Sequence, residues 1–223
     1  MSRAEDIRAN LAALETRIAA ACARAGRNRE EVTLVAVTKT FPAADVDHAI
    51  AAGARDVGEN KVQEGRDKKP LVTAAARWHL IGHLQSNKAR DAVRLFDVIQ
   101  SVDSYELAER IARQAESIGK RQEVLLQVNI GREAQKSGAE IDEVPSLVAR
   151  LSALTPIHLN GLMAIPPIGE GEDVRPYFRE LRALRDAAGL RELSMGMTDD
   201  FETAIEEGAT IIRVGRAIFG ARS

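Results

Sequence analysis

Lys39 closes an apolar, β-branched run, Val32-Thr33-Leu34-Val35-Ala36-Val37-Thr38, and is followed by Thr40-Phe41-Pro42. Such a run reads as a buried parallel strand, and the Phe-Pro pair as its exit into a turn and the next helix. An amine is thereby placed at the C-terminal mouth of a core strand, where α/β folds gather their chemistry. A lysine amine ordinarily titrates near about 10.4, and desolvation lowers it towards the range where the neutral nucleophile is populated. A neutral amine condenses with an aldehyde to a Schiff base. The competing reading is a lysine whose stem packs while its ammonium reaches water.

Other residues fall at the same kind of position. Asn60 follows Gly58-Glu59, His83 and Gln85 follow Gly82, and Asn129 and Met163 stand near the ends of two further apolar runs. Asn60 could equally be a helix N-cap, and Met163 could simply fill core space. Two late blocks, Ser194-Met195-Gly196-Met197-Thr198 and Arg213-Val214-Gly215-Arg216-Ala217, each lead from a strand towards a helix. In barrels the last two such loops often bind phosphate through backbone N–H groups. Gly196 and Gly215 allow close approach of backbone to a ligand, Ser194 offers a hydroxyl and Arg216 a cation. The alternative is that these glycines only punctuate turns.

The elements that must position these groups alternate. Strand patterns are expected at Val32–Lys39, Asp56–Glu59, Trp78–Gly82, Val98–Val102, Val124–Ile130, His158–Ile165, Leu193–Met197 and Ile211–Gly215. Helical patterns lie between them at Ala43–Ala52, Ser104–Ser117, Val144–Leu154, Val174–Ala188 and Asp199–Glu207, with less regular segments at Asn60–Val72 and Ser86–Leu95. Ahead of them Ile7, Leu11, Leu14, Ile18 and Cys22 form one helical stripe, opened by a Ser2/Glu5 capping box and stopped at Gly26. Eight strands alternating with helices imply parallel pairing through crossovers. With no edge-like strand and no GxGxxG after the first, a single α/β domain is expected over residues 1–223: a closed (β/α)8 TIM-type barrel with residues 1–26 as an extra N-terminal amphipathic helix packed on it. The open doubly wound sheet is the alternative. In a closed barrel strand eight lies beside strand one, so a phosphate site and the Lys39 amine become neighbours, and a phosphorylated aldehyde would bridge them.

Composition narrows the partners. The 223 residues are 45% hydrophobic and 29% charged with a formal net charge of -2, which points to neither a nucleic-acid nor a membrane surface. No apolar stretch reaches the roughly 18 residues a bilayer span needs, and the polar N-terminus does not read as a signal peptide. The single Cys22 excludes an internal disulfide framework, suits a reducing cytoplasm and reads as a small packed hydrophobe. His79 and His83 would lie roughly 13 Å apart along a strand, too far to share a metal. Lys61, Lys68, Lys69, Lys88 and Lys136 read as solvated.

The blocks Val35-Ala36-Val37-Thr38-Lys39, Gly58-Glu59-Asn60, His79-Leu80-Ile81-Gly82-His83-Leu84-Gln85-Ser86-Asn87-Lys88, Gly161-Leu162-Met163, Leu193-Ser194-Met195-Gly196-Met197-Thr198-Asp199-Asp200 and Arg213-Val214-Gly215 with Ile218-Phe219-Gly220 occur in this order across nearly the whole chain. In them the chain resembles the pyridoxal phosphate homeostasis proteins, whose barrel is related to the N-terminal domain of alanine racemase. The resemblance implies pyridoxal 5′-phosphate as cofactor, Lys39 as its aldimine lysine, and Ser194, Gly215 and the following residue as phosphate holders. It also implies that Arg213 faces the pyridine nitrogen and that Asn60 and Met163 line the ring pocket. Arg216 departs from the pattern, since the family usually carries Thr there. A backbone contact to phosphate survives that change, whereas a hydroxyl contact is replaced by a guanidinium pair or lost.

A cation beside the ring nitrogen disfavours its protonation and weakens the ring as an electron sink. Racemases of this type add a tyrosine base from a second, β-rich domain. Here the sequence stops at Ser223, just past the expected eighth strand, and Tyr105 and Tyr177 fall in or beside helices. The expectation is therefore a monomeric, cytoplasmic protein that holds the cofactor and passes it to client apoenzymes, contributing to vitamin B6 homeostasis without being an enzyme. The alternatives are a low-activity amino-acid racemase and a cofactor-free Schiff-base aldolase.

Overall fold

Val35 pairs in parallel with Asp56 on one side and Arg213 on the other, and that double partnership closes the sheet. The computed structural model describes residues 2–167, 169 and 171–220; Met1 and Ser223 of the expected span lie outside the described residues. The strands are β1 (Thr33–Val37), β2 (Asp56–Glu59), β3 (Arg77–Leu80), β4 (Val98–Val102), β5 (Gln122–Gln127), β6 (Ile157–Met163), β7 (Glu192–Ser194) and β8 (Ile211–Val214). They follow one another around a closed barrel, every pairing parallel. The helices are α1 (Arg3–Arg24), α2 (Ala43–Ala51), α3 (Val62–Lys68), α4 (Ala89–Leu95), α5 (Tyr105–Ser117), α6 (Val144–Ser152), α7 (Arg175–Ala187), α8 (Phe201–Glu206) and α9 (Arg216–Phe219). The (β/α)8 architecture read from the alternation is the one observed.

The apolar runs are strands because each has two faces to bury. On one face Leu34, Ala36, Val57, Leu80 and Ile212 join the helix-facing core. On the other Val35, Leu125, Met163 and Ile211 form a separate apolar cluster inside the barrel. The α1 stripe is buried as its spacing predicts, and Ser2 and Glu5 form the capping box. That helix packs against α2, α8 and α9. Cys22 is buried in its stripe, and burial pushes its thiol pKa up.

Several boundaries move inward from their expected places. β1 ends at Val37, so Lys39 stands in the turn and not on the strand. β5 ends at Gln127, which puts Asn129 in a loop, and β7 is only Glu192–Ser194. Helix α8 starts at Phe201, after Asp199 and Asp200. The segments Asn60–Val72 and Ser86–Leu95 resolve into α3 plus a 3₁₀ turn Lys69–Leu71, and a 3₁₀ turn Ser86–Lys88 plus α4. The strand overshoots share a cause: Thr38, Val128 and Met195 just past the strand ends stay buried and still donate backbone hydrogen bonds to the neighbouring strand, so the strand-like pattern outlasts the strand.

Candidate functional site

The C-terminal strand ends surround a cavity of about 680 Å³, a volume suited to a small cofactor. Lys39, Asn60, Arg213, Gly215 and Arg216 all line it. Met163, Ser194 and Gly196 are not among its lining residues. Met163 lies within the apolar cluster inside the barrel. Gly196 has φ +92°, and a Cβ there would meet the Cβ of Ala204 at 2.5 Å, so the close packing of α8 accounts for this glycine. At Gly215 a Cβ would come 3.0 Å from the carbonyl oxygen of Val37. The loop after β8 thus lies directly against the end of β1.

Lys39 is half-buried and both its neighbours are anchored. Buried Thr38 donates from its N–H to the Gly58 carbonyl at 2.9 Å and from Oγ1 to Glu59 Oε1 at 2.6 Å. Its own carbonyl accepts from Lys68 Nζ at 2.7 Å. Thr40, at φ +70°, donates its N–H to Glu64 Oε2 at 2.9 Å. Lys68 Nζ also reaches Glu59 Oε1 at 2.5 Å, so Lys68 is a buried structural cation and not a solvated one. Glu59 is fully buried, and its Oε2 has no hydrogen-bond partner among the described residues. Burial outweighs the Lys68 and Thr38 hydrogen bonds and pushes the Glu59 carboxyl up to about 7.

A second polar group runs through the barrel interior. Arg213 donates from NH1 to Ser194 Oγ at 2.6 Å and from NH2 to the Ala164 carbonyl at 3.0 Å. Ser194 Oγ donates to Gln100 Oε1 at 2.6 Å, and Gln100 Nε2 lies 2.9 Å from His79 Nδ1. His79 Nε2 is 2.8 Å from Asp56 Oδ1. Burial lowers the Arg213 guanidinium to about 10, against the charge of Asp200, so it remains a cation at neutral pH. Burial likewise raises the carboxyl of Asp200, which accepts the Met197 N–H at 2.5 Å.

Asn60 is not a cap, since Lys61 occupies the N-cap position of α3 without a side-chain bond. Across the cavity stand Asn129, Lys136 and His83. His83 Nδ1 is 3.3 Å from Ser137 Oγ and 3.5 Å from Asp103 Oδ2. Lys136 pairs with Glu133 and donates to the Pro166 carbonyl at 3.0 Å, and Lys69 donates to the Leu95 carbonyl at 2.5 Å. Neither of these lysines is simply solvated. Tyr105 and Tyr177 lie on α5 and α7 and are not among the lining residues. Among the described residues no three His, Cys, Asp or Glu side chains are grouped to hold a metal, and no helix is long and apolar enough to cross a membrane.

Sequence reasoning missed Glu59, Lys68, Gln100 and the inward role of His79. A signal for Gln100 existed: it is an amide in the otherwise apolar strand core Val98-Ile99-Gln100. Lys68 had none, because its partner arrives from another element.

Residues 9–223 match the family described as alanine racemase, N-terminal domain. A pyridoxal phosphate homeostasis protein of Escherichia coli (strain K12) is 43% identical over 228 residues, covering 97% of each chain. Among solved structures, an unknown protein from Bifidobacterium adolescentis has a TM-score of 0.92 at 40% identity, covering 97% of this chain and 96% of that one. PipY of Synechococcus elongatus PCC7942, solved with PLP bound, has a TM-score of 0.85 at 38% identity, covering 96% of this chain and 100% of that one. The chain belongs to the alanine racemase N-terminal domain family and, within it, to the pyridoxal phosphate homeostasis proteins.

Proposed function

We propose that this chain binds pyridoxal 5′-phosphate at Lys39 and serves in vitamin B6 homeostasis, holding the cofactor for delivery to client apoenzymes. The observation that carries this is the convergence of three groups on one cavity: the Lys39 amine, the buried Arg213 cation and the Gly215–Arg216 turn. The cofactor makes three matching demands, for an amine, a partner to its ring nitrogen and a cradle for its phosphate. When bound it supplies an aldehyde that condenses reversibly with an amine. Gly215 brings the turn close enough to expose the first N–H groups of α9, which have no intrahelical acceptor and suit an anion. Arg216 adds a guanidinium beside that anion. Arg213, a cation at neutral pH, would face the ring nitrogen and disfavour its protonation, which would restrain carbanion chemistry. Asn60, which lines the cavity, would border the ring, while Met163 packs inside the barrel and Ser194 holds Arg213. The placement of Tyr105 and Tyr177 away from the cavity favours holding over racemisation. In this reading the protein works as one barrel domain over residues 1–223, as a monomer, in the cytoplasm.

Borohydride reduction of the purified protein after incubation with pyridoxal 5′-phosphate tests the reading. Mass spectrometry should place the added mass on the Lys39 peptide, and Lys39→Ala should abolish both the yellow colour and the adduct. A reduced adduct on another lysine, or none, overturns it. Sustained Cα deuterium exchange across a panel of amino acids would instead favour a racemase.

A further inference from the structure

Barrel interiors are normally filled by branched apolar side chains, and the cluster of Val35, Leu125, Met163 and Ile211 follows that pattern. Beside it His79, Gln100 and Ser194 are fully buried, and Arg213 is 3% exposed. Polar groups in so dry a place are costly unless every one is satisfied. Here each is, and all the donors point one way. Arg213 donates to Ser194, and the single Ser194 hydroxyl proton goes to Gln100 Oε1. The Gln100 amide nitrogen therefore faces His79 Nδ1, which leaves the His79 Nε2–H to donate to Asp56. Asp56 stands at the start of β2, near the opposite end of the barrel from the cavity.

We propose that Gln100 and His79 are positioning residues: anchored on Asp56, they lock the Ser194 hydroxyl as an acceptor and so fix the orientation in which Arg213 faces the cavity. The bond from NH2 to the Ala164 carbonyl completes the hold, so the guanidinium cannot rotate without breaking two hydrogen bonds. Gln100 and His79 do not line the cavity, and their influence passes through Ser194. Ser194 in this arrangement serves the arginine before it serves any anion. The inference rests on the proposed cofactor site for its consequence in binding, but its geometry is independent of it.

The test uses the full chain with Gln100→Leu, which keeps bulk and removes both bonds. Three readouts are taken: affinity for pyridoxal 5′-phosphate, the absorption maximum of the loaded protein, and the ¹⁵N-resolved guanidinium signals of Arg213 without cofactor. Expected are an affinity about tenfold lower, the effect of losing one buried hydrogen bond, a displaced absorption maximum, and Arg213 signals that change from separate to rotationally averaged. Ile99→Val, buried on the same strand but facing the helices, should lower stability and leave all three unchanged. Unaltered affinity, spectrum and Arg213 signals in folded Gln100→Leu overturn the proposal, as do averaged Arg213 signals in the parent protein. If the parent takes up no cofactor, the functional reading falls and the Arg213 signals still decide this one. If Gln100→Leu does not fold, Gln100→Met carries the same comparison.

Discussion

Arg213 and Arg216 stand three residues apart in opposite surroundings. Arg213 is sealed in the barrel and held by Ser194 and the Ala164 carbonyl. Arg216 is exposed and paired with Asp199 at the rim. An exposed ion pair contributes little to folding. Arg216→Thr should therefore shift stability by less than about 0.5 kcal/mol. The same change should weaken pyridoxal 5′-phosphate binding about three- to tenfold, since a charge-assisted bond to phosphate is lost. Affinity for pyridoxal, which has no phosphate, should hardly change, and titrations of both vitamers at two salt concentrations check this. At this scale Lys39 was readable because it directly follows an apolar run, and Gly215 and Arg216 because they form the loop after the last strand, whereas Asn60 and Arg213 took their roles from the family resemblance. Ser194 was readable only as a hydroxyl near the mouth. What it bonds to depends on Gln100, 94 positions away, and no local pattern carries that.

Among the elements, the β2–α3 unit does more than connect. Glu59, Glu64 and Lys68 grip the residues on either side of Lys39. Because burial raises the folded-state pKa of Glu59 to about 7 from 4.5, the folded protein keeps a proton that the unfolded chain releases between those values. Its contribution therefore favours folding less as pH rises through that window. The stability difference between the parent and Glu59→Gln should fall by up to about 3 kcal/mol from pH 4.5 to pH 7. Urea melts of both proteins across that range measure it, and a difference that stays flat contradicts the shifted carboxyl. The strand and helix order was readable from the alternation of apolar runs with helical stripes. Strand ends were not, because Lys39 and Asn129 lie in mouth loops whose neighbours Thr38 and Val128 are as buried as the ladder itself.

For the molecule as a whole, α1 fastens the first segment of the chain to its last units. Just beyond α1, Arg27 donates to the carbonyls of Ile205 at 2.9 Å and Ala209 at 2.8 Å, with a side chain only 15% exposed. Arg27→Met should cost about 2 kcal/mol, because two buried carbonyls lose a charged donor. Arg17→Met, which breaks an exposed pair with Glu202 and a cation–π contact 4.7 Å from the Phe201 ring centroid, should cost no more than about 1 kcal/mol. Chemical denaturation of the two variants separates these outcomes. That α1 would pack on the barrel followed from its stripe. Which helices it would meet did not, because partner choice is a property of barrel closure and not of any one segment.

Closure is uneven. Around most of the ring neighbouring strands match over two or more residue pairs, whereas β7 and β8 match at one, Ser194–Ile211, with the Thr210, Met195 and Arg213 amides donating across the join to the Leu193, Ile211 and Gly196 carbonyls. That join lies directly beneath Arg213. Thermal fluctuations that part the ring should begin there, and amide hydrogens of Met195 and Thr210 should trade with deuterated solvent sooner than those of β5 and β6. Anything seated on the loops above would then act as a clasp, slowing that trade by spanning the shortest register among the described strands.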